Sequence, residues 1–234
     1  MIENVRVAIL HDLPKIKFYV LIVSIWAAMT GCLGFDQPEV EDITSGHKWN
    51  LQIGASCDSV YQDLVELGEE KDFGAVALVG QKTFDDVHKI RPYFPYYNWV
   101  NFISTVGYAD RVLIGLDSGR VSAIYAGGAM LDSVGYWPRN LDDEVAIIHH
   151  GDTFDELEQA FEAIQNHSHY QTYQYLLPDK PLHLPFDPAM RDISLWYFTF
   201  QEYYSSGELK GHSEVRLYFE NEKLVRINHT FTEN

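Results

Sequence analysis

One similarity of the chain to itself limits its fold more than any motif does. Residues 76–87 read VALVGQKTFDDV and residues 145–157 read VAIIHHGDTFDEL, and the two align with a single gap. Each is a short β-favouring run and a break, followed by Thr at a helix N-cap and acids in the first turn, where carboxylates complement the helix dipole. The spacing predicts helices over 84–90 and 154–165, the second with Leu157, Phe161 and Ile164 on one face. Hairpins recur downstream, RVLIGLDSGRVSAIYA at 111–126 and EVRLYFENEKLVRINHT at 214–230, each with alternating strands about a polar turn. A second register pairs Gly54-Ala55-Ser56 with Gly151-Asp152-Thr153 under the pattern Gly-x-(Ser/Thr)-x-Asp-x-(Val/Leu)-x-Gln. The sequence leaves both registers open, with chance likeness between capped amphipathic helices as the alternative to duplication. A helix followed by antiparallel strands, twice over, predicts an α+β fold of two related units at 48–130 and 144–234.

Residues 18–31, FYVLIVSIWAAMTG, carry no charge, follow Lys15 and Lys17, and run straight into Cys32. A basic flank, a short apolar stretch and small residues before a cleavage point are the order of a secretory signal, and a spanning helix needs about 20 apolar residues. Met29-Thr30-Gly31-Cys32 resembles a bacterial lipobox, which implies that 1–31 are removed and Cys32 is lipidated. Leu33 in the next position resembles the sorting pattern of outer-membrane lipoproteins. An uncleaved anchor and a buried core strand are the other readings of the run. Residues 32–47, with Pro, Gly and acids but no periodicity, are expected to be a tether. With Cys32 lipidated, Cys57 has no disulfide partner and fits a small buried hydrophobe in a helix.

The 234 residues hold 17 Lys and Arg against 34 Asp and Glu, a net charge of -17, and no basic cluster. Phosphate binding depends on cations, so nucleic acid is not an expected partner, whereas a basic protein is. No nucleophile elbow, phosphate-cradling glycine loop, HExxH or CxxC occurs, so no catalytic residue, metal or cofactor is assigned. The alternative of a metal-dependent enzyme would draw on His149, His150, His167 and His169, although no second pair stands at ligand spacing.

Aromatic residues mark the candidate surface. In ISLWYFTFQEYY, Trp196, Phe198 and Phe200 alternate with Leu195, Tyr197, Thr199 and Tyr203, so the first set faces the core. In the last hairpin Val215, Leu217 and Phe219 alternate with Arg216 and Tyr218, and Val225 and Ile227 with Arg226. Tyr197, Tyr203, Arg216, Tyr218 and Arg226 are thus expected on one open sheet face, a composition that suits partner binding and equally an ordinary solvated face.

The capped helix opening and the VRLYFENEKLVRI hairpin resemble the small lipoprotein domains related to the outer-membrane assembly factor BamE. In tandem they are similar to the β-lactamase inhibitory protein family, whose two units grip a partner protein. The aromatic stretches RPYFPYYNW at 91–99 and YQTYQYLLPDKPLHLPFDP at 170–188 depart from that compact unit. The resemblance implies a lipid-anchored, periplasm-facing inhibitor, an immunity protein against a secreted toxin. Its alternative is an envelope-maintenance lipoprotein of the outer membrane.

Overall fold

The computed structural model describes residues 38–106, 111–128, 130–141 and 143–234, so the signal (1–31), Cys32 and the first part of the expected tether lie outside the described residues. Helix α1 (Cys57–Lys71) starts at Ser56, whose hydroxyl accepts from the Ser59 N–H, and turns Val60, Tyr61, Leu64 and Leu67 inward. It ends where Asp72 takes a left-handed conformation and Phe73 N–H bonds back to the Gly68 carbonyl at 3.0 Å. A Cβ on Gly68 would stand 2.6 Å from the Phe73 carbonyl oxygen, so only glycine permits this ending. Helix α2 (Val87–Ile90) is a single turn passing into a 3-10 segment at Arg91–Tyr96, because Pro92 and Pro95 offer no N–H to extend it. The expected helix over 84–90 begins three residues late: Asp86, not Thr83, is its N-cap, because Phe84 is held in a β-bridge to Tyr175 by N–H to carbonyl bonds of 2.9 and 2.8 Å. Helix α3 (Phe154–Asn166) opens with a reciprocal capping box between Thr153 and Glu156 and buries Leu157, Ala160, Phe161 and Ile164.

Two antiparallel sheets hold the described strands of greatest length. The first is built from β1 (Glu39–Ile43), β4 (Ala75–Leu78), β12 (Lys180–Pro181), β13 (Leu195–Tyr203), β14 (Leu209–Glu220) and β15 (Lys223–Glu233), in the order β1-β15-β14-β13-β4-β12. The second contains β5 (Trp99–Ser104), β6 (Arg111–Asp117), β7 (Arg120–Gly127), β8 (Asp132–Ser133) and β11 (Tyr173–Leu176), in the order β11-β5-β6-β7-β8. Two short pairs complete the set, β2 (His47–Lys48) with β3 (Leu51–Gln52) and β9 (Tyr136–Trp137) with β10 (Ile148–His149). Each main sheet lays one face on one helix: Trp196, Phe198, Val215 and Leu217 on α1, and Phe102, Val112, Ile114 and Tyr175 on α3. The fold is α+β with antiparallel sheets.

The division of the cores differs from the expected one. In chain order α1-β4 precede β5-β6-β7, and α3-β11 precede β13-β14-β15. In space α1 and β4 join β13, β14 and β15, while α3 and β11 join β5, β6 and β7. Neither 48–130 nor 144–234 therefore owns a core; each supplies a helix and strand to one and a three-stranded meander to the other. Helix starts and hairpins recur in sequence without revealing this, because local pattern fixes an element and not its partner.

The tether also shortens. Residues 39–43 pair with β15 from Glu39↔Phe231 to Ile43↔Ile227, and Leu51 is fully buried. EVEDI is charged on both strand faces, which is common on an edge strand and hides its alternation. A further correction concerns Val225. β14 and β15 shift register between Tyr218 and Phe219, so Tyr218 faces Arg226 while Phe219 faces Leu224. Val225 is the extra residue of that bulge, and Leu224 takes the core position expected of it.

One corner is built twice. At the first, Gly54 N–H bonds to the Leu224 carbonyl (2.7 Å), Leu224 N–H to that of Ala55 (2.9 Å), and Cys57 N–H to that of Glu222 (3.0 Å). At the second, Gly151 N–H bonds to the Val121 carbonyl (2.8 Å), Val121 N–H to that of Asp152 (2.8 Å), and Phe154 N–H to that of Gly119 (3.1 Å). Gly54 and Gly151 have φ of 91° and 94°, a region L side chains rarely adopt. Both turns, Ser118-Gly119 and Asn221-Glu222, have positive φ at both positions, and the β6–β7 hairpin carries its own bulge at Ser122. Of the two registers open in the sequence, this geometry superposes Gly54 on Gly151.

Candidate functional site

The face of the first sheet turned away from α1 carries the five expected residues, four of them in two cross-strand pairs. Tyr197 pairs across with Arg216, and Tyr218 with Arg226. The Arg216 guanidinium lies 5.4 Å from the Tyr197 ring centre, and that of Arg226 4.0 Å from Tyr218. Stacking leaves the ring edges and N–H groups available and holds the long side chains in place, which lowers the ordering cost of a partner's arrival. Arg216 is also 3.3 Å from Glu214, and Arg226 3.4 Å from Asp42 on the edge strand. The two cations are thus matched by two acids on the same face, and the expected acidity of the chain is not concentrated here. Burial and Glu214 together raise the Tyr197 phenol above its usual range, so it remains a hydrogen-bond donor.

Tyr203 lies on the same face six residues along β13 from Tyr197, at its far end: the register shift opposite it is taken up by Lys210 of β14, and Tyr203 is 57% exposed and bonded to Gln201. Asp42 is the residue that sequence reasoning missed, since it was expected in the tether; acids on both faces of EVEDI left no alternation to reveal the strand.

On the core side of the same strands lies a buried polar chain. Ser213 Oγ is 2.9 Å from His229 Nε2 and donates to Glu202 Oε1 at 2.8 Å, while His229 Nδ1 is 3.3 Å from Glu41 Oε2. Serine, imidazole and carboxylate stand in the order of a nucleophilic triad, but Ser213 is 0% exposed and its single proton is directed at Glu202. The group joins β1, β13, β14 and β15, with Trp49 edge-on to the His229 ring at 5.1 Å.

A second buried polar group sits where the two connections between the cores cross. Lys180 is fully buried, and its Nζ donates to Tyr61 Oη (2.8 Å) and to the carbonyls of Pro181 (2.8 Å) and Leu184 (3.4 Å). Burial lowers its pKa to about 8, against a raising influence from Asp187. Asp187, itself pushed up by burial, accepts from Tyr97 Oη at 3.2 Å, and Gln81 donates to the same phenol at 3.2 Å. Tyr97 and Gln81 belong to the connection after β4, Lys180 and Asp187 to the one after β11.

The histidines proposed for a metal are dispersed. His149 lies near the Tyr136 ring, while His167 and His169 contact Tyr170. Among the described residues no three of His, Cys, Asp and Glu come together as a ligand set. Nor is any described helix long and apolar enough to cross a membrane. In comparison with known proteins, no family model, no curated protein and no solved structure matches the chain.

Proposed function

We propose that this is a lipid-anchored, periplasm-facing bacterial protein that acts by binding another protein, in the manner of an immunity protein neutralising a secreted toxin. The observation that carries it is the stacked Tyr197–Arg216 and Tyr218–Arg226 face, with its side chains ordered before any partner arrives. Interfaces draw on Tyr and Arg above other residues, and a net charge of -17 favours encounter with a basic partner. The twice-built corner supports two related units, in keeping with the resemblance to tandem inhibitory domains, and the lipobox-like Met29-Thr30-Gly31-Cys32 supports the anchor.

The test is affinity capture on the immobilised full-length protein, from envelope extract of the native cells and their neighbours. One basic secreted protein in stoichiometric amount is expected, with Tyr218→Ala/Arg226→Ala weakening it by about 2 kcal/mol or more, the size of a hot-spot loss. Recovery of resident outer-membrane proteins alone, together with membrane defects on deleting the gene, would point instead to envelope maintenance.

A further inference from the structure

The two aromatic stretches that lengthen the chain beyond a compact repeat meet at one place. Phe94, Pro95, Tyr97, Asn98 and Trp99 come from the first, His183 and Leu184 from the second, and together they close on the β6–β7 turn and on Phe154 at the start of α3. The cleft so formed has a volume of about 730 Å³. Phe94, Tyr97, Trp99, Phe154 and His183 give it aromatic walls, and Trp99 is seated tightly: a Cβ on Gly115 would stand 2.9 Å from the indole. At one end Asp117 supplies a carboxylate. It accepts a hydrogen bond from Ser118 Oγ at 3.0 Å, and among the described residues no cation forms an ion pair with it. Two cations lie nearby and both are engaged elsewhere: Arg120, opposite Asp117 in the hairpin, donates to the Gly151 carbonyl at 2.7 Å, and Arg91 stacks on the Phe94 and Phe154 rings at 5.5 and 5.4 Å and is held by Asp155 and Glu158. The corresponding corner of the first core also has a cleft, of about 540 Å³ and with Glu220 in the place of Asp117, but Lys223 lines it and no aromatic residue does.

We infer that the aromatic cleft beside Asp117 is an anchor pocket for an arginine side chain of the protein partner. It rests on the proposed protein-binding function and deepens it by naming the group recognised. A guanidinium is flat enough to stack on an aromatic wall such as the Trp99 indole, and its forked N–H groups match a carboxylate in pairs. A carboxylate that lines the cleft without an ion-pair partner among the described residues favours a positive guest over a neutral sugar, which would stack equally well but leave the charge unmatched.

The experiment follows the Trp99 indole N–H resonance of the full-length protein, assigned through Trp99→Phe. It is titrated with Gly-Gly-Arg-Gly-Gly, with the same peptide carrying neutral citrulline, and with an N-acetylglucosamine tetramer. Saturable binding of the arginine peptide is expected, about tenfold tighter than that of citrulline, with Asp117→Asn abolishing the difference. Equal binding of the two peptides, a preference that survives Asp117→Asn, a response to the oligosaccharide alone, or no response would each overturn the assignment. Tyr218→Ala/Arg226→Ala is expected to leave peptide binding unchanged. A captured partner lost by that double variant and kept by Asp117→Asn would preserve the sheet-face proposal while removing the anchor pocket, so the two fail separately.

Discussion

Single residues fix this fold where the backbone leaves ordinary territory or a charge leaves water. Gly54 and Gly151, at φ 91° and 94°, let the chain turn from a hairpin edge into a helix. Replacing either by Ala is expected to cost about 1–2 kcal/mol, read as a lowered midpoint in urea unfolding, because nothing crowds the added methyl and the loss is backbone strain alone. Lys180 gives a different signature. Its folded pKa of about 8 lies below the 10.5 of an exposed lysine, so between these values the unfolded chain binds more protons. Stability from this group is therefore absent below about pH 8 and grows as pH rises towards 10.5. Measured against Lys180→Met, which cancels the titration of other groups, the wild-type protein is expected to gain about 2 kcal/mol between pH 7.5 and 9.5. A flat difference would mean that the ammonium is solvated in the folded state. None of this was legible in the sequence, where Lys180 sits in a proline-rich stretch and its burial depends on Tyr61 and Tyr97 arriving from far along the chain.

At the scale of elements the sequence was more informative, for reasons visible in particular cases. Helix α3 runs over Phe154–Asn166 where Thr153, Glu156 and the Leu157/Phe161/Ile164 stripe predicted it, since cap and stripe are both local. Thr153→Ala removes the hydroxyl of the capping box, and about 1 kcal/mol of stability should go with it, seen as a fall in Tm. Both hairpins were legible from their turns, and the alternation of Trp196, Phe198 and Phe200 placed those residues in the core. Where prediction failed, the cause was equally specific. EVEDI reads as a linker because an edge strand needs no apolar face, and Val225 was expected inward because a bulge shifts the alternation by one residue. Of the candidate face, the alternation that puts Tyr197, Tyr203, Arg216, Tyr218 and Arg226 on one side was legible; Asp42, on the concealed strand, was not.

For the whole molecule the decisive fact is which helix meets which meander. Sequence order shows helix, strand and meander twice, and the simplest expectation is that each set closes on itself. The crossing of 79–98 and 177–194 is what exchanges them, and it is pinned by Lys180, Tyr61, Tyr97 and Asp187, whose sequence separations no local pattern reports. The same crossing produces the aromatic cleft, so the departures from a compact repeat and the proposed anchor pocket have one origin.

That exchange also orders events in time as the chain emerges. The α3 core is complete once β11 and Leu177 have been made, whereas α1 and β4 must wait for β13 to β15, the last of the described strands. Among the described helices the earliest in the sequence is thus the last to be buried, and its apolar face stays uncovered until β15 is delivered. A chain ending at residue 178 is expected to retain slow amide exchange in β5–β7 and α3 while α1 exchanges freely. Equal protection of both helices in that fragment would show that α1 can close on its own meander instead.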